Sequence, residues 1–298
     1  METNRLWDSK GDRVFNVINY VVMSCALIIV LYPLLFVISS SLSSKEAVNA
    51  GRVLLWPVEF GLDGYRAVFR EPTFLQAFAR SVGYTAAGTI INVVITILAA
   101  YPLSRKDLAG RNRIMLLFGF TMFFAGGLIP NYILVKDLGM LDTPWALWLP
   151  GALSIWNMII ARTYFQTTIP TELLEAAQMD GCNDYKFLWH VALRLSGPIV
   201  AVITLFYAVE HWNQYFNALL YLKSPDLYPL QLVLRQILIR SQVDIEIAGN
   251  AAQVAEMVGM AELLKYSLIV VATLPMMIVY PFVQRYFVKG VMIGALKG

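Results

Sequence analysis

VFNVINYVVMSCALIIVLYPLLFVISSSLSS, residues 14–44, runs for 31 residues between Arg13 and Lys45 without a Lys, Arg, Asp or Glu. A helix crossing the hydrocarbon core of a bilayer needs about 20 such residues. Working outward, charge-free stretches of 24, 22, 19 and 19 residues lie between Arg80 and Arg105, Arg113 and Lys136, Asp142 and Arg162, and Lys265 and Arg285. A sixth apolar stretch, Leu195 to Leu222, is interrupted by Glu210 and His211. The whole 298-residue chain is 58% hydrophobic and 14% charged, whereas soluble chains average about 45–50% apolar and about 25% charged residues. A soluble enzyme, a disordered chain and a collagen-like chain are all poor readings of that composition. The fold class expected is an all-α membrane protein with six transmembrane helices.

The expected organisation is a cytoplasmic N-terminal tail over 1–13, a six-span domain over 14–288 and a cytoplasmic C-terminal tail over 289–298. Spans are placed at about 14–40, 81–103, 114–135, 145–162, 197–222 and 266–284. The charged start, the long first run with Pro33 and the lack of a small-residue cleavage pattern argue against a cleaved signal peptide. Orientation comes from the loops: with the N-terminus inside, 13 of the 23 Lys and Arg but 8 of the 20 acids lie inside. The short loop RKDLAGRNR, 105–113, weighs most, and both termini are expected in the cytoplasm. Net charge of +3 is too small and scattered for a nucleic-acid surface. Cys25 and Cys182 offer no disulfide framework.

The longest internal loop contains TIPTELLEAAQMDGCNDYKFLWHVALRLSGP, residues 168–198. It reads as two short helices separated by a turn, with Pro170 at a first helical position, Gly181 as a left-handed terminator and Asn183-Asp184 as the next cap. In the first helix Glu172, Glu175, Ala176 and Met179 share a face by their three- and four-residue spacing. Ala176 and Ala177 present almost no side chain, so another surface can approach the backbone closely while Glu175 offers a directed charge.

EAAQMDG followed by LRLSGP resembles the EAA loop of type I ATP-binding-cassette importers, matching at Glu175, Ala176, Ala177, Asp180, Gly181, Leu193, Leu195 and Pro198. Arg194 stands where that pattern has its first Pro, which bears on the bend into the fifth span, and Cys182 stands where Ala is common. HWNQYFNALLYL (211–222) and RYFVKGVMIGALKG (285–298) resemble the carbohydrate-uptake branch, similar to the second permease subunit of maltose-type importers. The resemblance implies that the loop docks in a groove on a cytoplasmic ATPase, with Glu172, Glu175, Ala176, Ala177, Met179, Asp180, Gly181, Leu195 and Pro198 as the coupling residues. Glu175 would meet a basic group there. Implied partners are a second, different permease subunit, two ATPase subunits and an extracytoplasmic solute-binding protein, in a bacterial cytoplasmic membrane. No G-x-x-x-x-G-K-[ST] occurs in the chain, so ATP and Mg belong to the partner ATPase and no cofactor or metal is expected on this chain. The external segment Ser224–Glu262 is long enough to lie under a binding protein.

A charge within the bilayer must face protein or water, so Glu210 faces inward or lies at an interface. Asn213, Gln214, Asn217 and Tyr221 follow it at helical spacing, and Thr85, Thr89, Asn92 and Thr96 form a second stripe beside Gly88. These stripes either line a hydrophilic path for a sugar or hold helices together. Trp212, Tyr215 and Phe216 either stack on sugar rings or belong to an interfacial belt. His190 reads as a loop residue. The C-terminal Lys289, Gly290, Gly294 and Lys297 form either a snorkelling end or an ATPase contact. The function expected is a permease subunit of a sugar importer, not an enzyme. The alternatives are an importer for an amino acid, phosphate or polyamine, and an intramembrane enzyme using Glu210 and His211. Adjacent helical residues point about 100° apart, and no nucleophile or metal set completes that enzyme.

Overall fold

The computed structural model describes residues 10–247 and 251–295, and every regular element among them is a helix. In chain order these are α1 (Lys10–Ser41), α2 (Lys45–Asn49), α3 (Asp63–Arg70), α4 (Phe74–Ser104), α5 (Arg111–Phe123), α6 (Leu128–Asp137), α7 (Trp145–Trp148) and α8 (Ile155–Thr168). There follow α9 (Thr171–Met179), α10 (Asp184–Phe187), a π-helical turn (Leu188–Ala192), α11 (Leu193–Leu195), α12 (Gly197–Asn213) and α13 (Phe216–Tyr221). A 3-10 turn (Pro225–Leu227), α14 (Leu230–Ile247) and α15 (Ala251–Ala295) complete the chain. Three stretches, Gly11–Ser41, Phe74–Ser104 and Met257–Phe282, are single helices long and apolar enough to cross a membrane.

Two further candidate spans are bent. The run expected as one span over 114–135 is the pair α5 and α6, bent by 111°, and α12 meets the preceding Asp184–Leu195 segment at 85°. The stretch expected over 145–162 holds α7 and the first half of α8 with a break between them. The stretch over 197–222 divides at Gln214, whose φ −74°, ψ 89° is not helical. The described residues thus hold three to five spans by length and composition, and the count of six stays an expectation.

The chain divides into two compact units, residues 1–72 with 237–273, and residues 73–236 with 274–298. In the first, α1 is exposed along most of its length and becomes buried at Ser39, Ser40 and Ser41. Serine hydroxyls organise its exit. Ser39 donates to the Leu55 carbonyl at 2.7 Å, Ser43 accepts from the Val58 N–H at 3.0 Å, and Ser44 caps α2 by accepting from the Ala47 N–H. Gly64 of α3 has no room for a side chain, because a Cβ there would fall on Ser267 Oγ.

The second unit is built on α4, which packs against α8 and α12. Ala77, Ser81, Tyr84, Gly88, Asn92, Thr96 and Ala100 recur every three or four residues and are all buried. Val82, Ile90, Val94 and Leu98, on the other side, are exposed. Small residues on the inner face let helix backbones approach where no hydrophobic effect drives association in lipid. The core at the Ser104 end of α4 gathers Tyr101, Met158, Phe165, Phe187, Leu188 and Ile203.

Candidate functional site

Within the 168–198 segment, Phe187, Leu188 and Ala192 are set in the core, whereas α9 lies on its surface. Pro170 (φ −63°, ψ 144°) is extended and caps α9 from one position before the first helical residue, so its expected place shifts by one. No residue of α9 is buried. Leu174 and Ala177 lean on the core, while Glu172, Glu175, Ala176 and Met179 are exposed, Met179 at 87%. Glu172, Glu175 and Asp180 form no ion pair with another described residue, so their charge is available to something else. Gly181 adopts φ +75°, a conformation that costs a side chain about 1 kcal/mol or more. The turn closes through Cys182 N–H to Ala177 O at 2.9 Å, and Asn183 caps α10 by accepting from the Lys186 N–H at 2.9 Å.

Past α10 the backbone widens into the π turn, a feature that commonly marks functional bends. The 85° bend then falls at Ser196 (φ −103°, ψ 18°), and Pro198 sits in the first turn of α12, where its missing N–H costs nothing. Arg194 and Leu195 are exposed at this corner. The bend therefore forms with arginine in the place where a proline is usual.

Three arginines converge under the loop. Arg105, whose side chain is 13% exposed, donates to Asp107 at 2.6 and 2.9 Å, to Asp184 of α10 at 3.0 Å and to the Tyr101 hydroxyl at 3.1 Å. Arg111 donates to the Arg105 carbonyl at 3.1 Å, and Arg162 of α8 donates to the Leu103 carbonyl at 2.8 Å. These guanidinium groups occupy carbonyls that the end of α4 leaves without helical partners. The hydrogen bond from Arg105 pulls the Asp107 carboxyl below its ordinary value. A cavity of about 470 Å³ opens between the 104–111 segment and α9, with Arg105, Lys106, Arg111, Glu175 and Gln178 on its walls.

The two polar stripes fare differently. Thr96 and Asn92 are glue in part: Tyr207, fully buried on α12, bonds Thr96 Oγ1 at 2.6 Å and accepts the Ser154 N–H at 3.0 Å, while Asn92 Nδ2 donates to Gly151 O at 3.3 Å. Thr85 Oγ1, Thr89 Oγ1, Asn92 Oδ1 and Gln214 Nε2 are buried without a partner. The His211 ring lies against Gly88 and near Gln214 without a well-formed hydrogen bond to either. Glu210, Asn213 and Asn217 are exposed, whereas Tyr221 is buried and stacks on Tyr132. The expected single stripe from Glu210 to Tyr221 is interrupted, because α12 ends before Gln214 and α13 restarts at Phe216. Trp212 is buried, while Tyr215 and Phe216 are exposed.

Residues 3–293 match the family described as binding-protein-dependent transport system inner membrane component. The chain belongs to this family. It is accordingly a multi-pass membrane permease, a transport component rather than an enzyme. It is 40% identical over 297 residues to Protein LplC of Bacillus subtilis (strain 168), covering 100% of this chain and 99% of the relative. It is 41% identical over 290 residues to the polygalacturonan/rhamnogalacturonan transport system permease protein YtcP of the same organism, covering 96% and 99%. Among solved structures it is similar to a chain of a bacterial ABC transporter involved in the import of the acidic polysaccharide alginate, with a TM-score of 0.82, 33% identity, and 94% and 99% of the two chains covered.

In this permease the sequence pointed to the exposed face of α9 and missed what carries it. Arg105, Arg111 and Arg162 read as ordinary loop and span-end cations contributing to orientation. Their convergence depends on α4, α8 and α10 coming together in the fold. Asp142 was likewise only a span boundary, yet its carboxylate accepts from Lys223 N–H, Ser224 N–H and Ser224 Oγ at 2.8, 2.9 and 2.6 Å. His190 is exposed, its ring nitrogen 3.0 Å from Lys186 O within its own loop. Among the described residues no three His, Cys, Asp or Glu side chains gather as a metal site. Lys297 and the side chain of Lys289 lie outside the described residues, as do the first nine residues.

Proposed function

We propose that this permease is one of two different membrane subunits in an ATP-driven importer of a sugar or oligosaccharide. A solute-binding protein delivers the ligand from outside, and two ATPase subunits carry ATP and Mg inside. The named relatives that transport polygalacturonan, rhamnogalacturonan and alginate support a sugar, and specifically an acidic one. Both termini are cytoplasmic, as the excess of Lys and Arg in the corresponding loops favours.

The observation that carries the mechanism is the exposed, unpaired acidic face of α9 ending in the left-handed Gly181. Glu172, Glu175, Ala176, Ala177, Met179, Asp180 and Gly181 form the ATPase-docking face, and Leu195 and Pro198 lie at the corner leading to α12. ATPase closure displaces α9, and α12 follows through the 85° corner. Glu210, Asn213 and Asn217 face the path shared with the second permease, since a carboxylate in the bilayer requires water or protein around it. Thr85, Thr89, Asn92 and Gln214 form a polar seam behind them, and Tyr221 closes one end by packing.

Two experiments test this reading. In Glu175→Lys combined with Gly181→Asp, the ATPase should no longer co-purify and uptake should be lost; retention of both would remove α9 as the docking element. Cells carrying the transporter, offered galacturonate, alginate and maltose oligosaccharides, should take up an acidic probe in preference to the neutral one. Equal or preferential uptake of the maltose series would sink the acidic assignment.

A further inference from the structure

The proposed docking of α9 explains where force enters the permease and how it reaches α12, and leaves open how it reaches the other spans. The 85° corner leads only into α12. The helix at the centre of the second unit is α4, which packs along both α8 and α12, and its Ser104 end lies directly under the coupling loop.

We propose that Arg105 is the positioning residue that ties the coupling loop to α4, so that displacement of the loop is delivered to this helix through Arg105 and Asp184. This rests on the docking reading above and adds the route from the docked loop into the membrane. Asp184 is the first residue of α10, three positions beyond Gly181, so it moves with the turn that ends the docking helix. Its carboxylate accepts from Arg105 Nη1 at 3.0 Å. The same nitrogen lies 3.1 Å from the Tyr101 hydroxyl of α4. The aromatic layer repeats the connection, since Tyr101 packs on Phe187 of α10 and edge-on to Phe165 of α8.

An ion pair between two fully solvated side chains would be too soft for this role. Arg105 differs because its side chain is 13% exposed while Asp184 is 65% exposed: one end is set in the fold and the other rides on the moving loop. The guanidinium is planar, and its Nε and Nη2 are engaged by Asp107 at 2.9 and 2.6 Å, which fixes the direction of Nη1. Its backbone is held as well, the N–H by Pro102 O at 3.1 Å and the carbonyl by Arg111 at 3.1 Å. Lysine, with one freely rotating ammonium, lacks this fixed geometry.

The test uses the full transporter in lipid nanodiscs, with Cys25 and Cys182 replaced by Ser and an environment-sensitive fluorophore on Gly83→Cys. Gly83 is exposed on α4, with open space where a Cβ would stand. Addition of ATP and vanadate should shift the fluorescence in the parent. In Arg105→Gln and in Asp184→Asn most of the shift should be lost, with the ATPase still bound and hydrolysing. The double variant should be no worse than either single one, Arg105→Lys should not rescue, and Asp107→Asn, which keeps one of the two bonds that aim Nη1, should lose part of the response. Failure of the docking reading shows separately, as an ATPase that still co-purifies with the Glu175→Lys, Gly181→Asp double variant. If Arg105→Gln does not assemble, Asp184→Asn decides, because Asp184 is on the surface. A parental response in Asp184→Asn, or a parent that hydrolyses ATP with no shift at Gly83, overturns the proposal.

Discussion

At the residue scale Gly88 carries a steric requirement that joins two helices. A Cβ built there would stand 2.5 Å from His211 Nε2 and 2.6 Å from Cε1, closer than real Cβ contacts. The ring is buried, so it has little room to yield, and α4 and α12 would have to move apart. Gly88→Ala should therefore destabilise the detergent-purified protein by about 1–3 kcal/mol, the usual cost of overpacking. A thermal melt reads this directly. Gly88→Ala combined with His211→Ala should recover most of the loss, and a double variant no more stable than the single one would show that the contact is not the cause. The pattern of small residues on α4 was legible in the sequence. That an imidazole fills the gap at Gly88 was not, since it depends on which turn of α12 lies opposite.

At the scale of elements, Asp142 shows how a left-handed residue joins two loops. Its φ is +58°, which aspartate tolerates better than most side chains. Its own N–H donates to Tyr221 O at 2.9 Å while the carboxylate caps the 223–224 turn. The Ser224 hydroxyl and then the N–H groups of Ser224 and Lys223 hold this carboxyl below its ordinary value. The sign follows from that depression: the contribution is present above the unfolded value of about 3.9 and is lost as pH falls through the lower folded value. Amide exchange at Lys223 and Ser224, corrected for its intrinsic pH dependence, should thus stay slow from neutral pH down to about 4 and accelerate below it. Asp142→Asn should lose the acceleration, and an identical acid response in that variant would assign it to another group. The helix α9 lies at the opposite extreme of legibility. Its boundaries come from neighbouring residues, Pro170 before it and Gly181 after it, and both could be located within one position because caps and turns are local chemistry.

For the whole molecule, the arrangement across the bilayer rests on the loops. With both termini inside, a cysteine replacing Lys186 in the coupling loop should resist a membrane-impermeant maleimide in intact cells and react after permeabilisation. A cysteine replacing Asp226, which is exposed beyond α13, should react in intact cells. The reverse pattern would invert the topology and with it the docking face. Composition and charge-free runs sufficed for an all-helical membrane protein, and the 175–181 spacing sufficed for the turn that ends α9, because both depend on residues adjacent in the chain and on their local preferences. Hydropathy could not decide where those runs break: the 111° bend between α5 and α6 and the interruption at Gln214 occur at positions that carry no charge. Only the tertiary structure brought Arg105 to Asp184, 79 residues away, and Tyr207 to Thr96, 111 residues away. Contacts of that kind depend on which helix faces pack together, and the free energy that selects them belongs to the assembled helices rather than to any one segment.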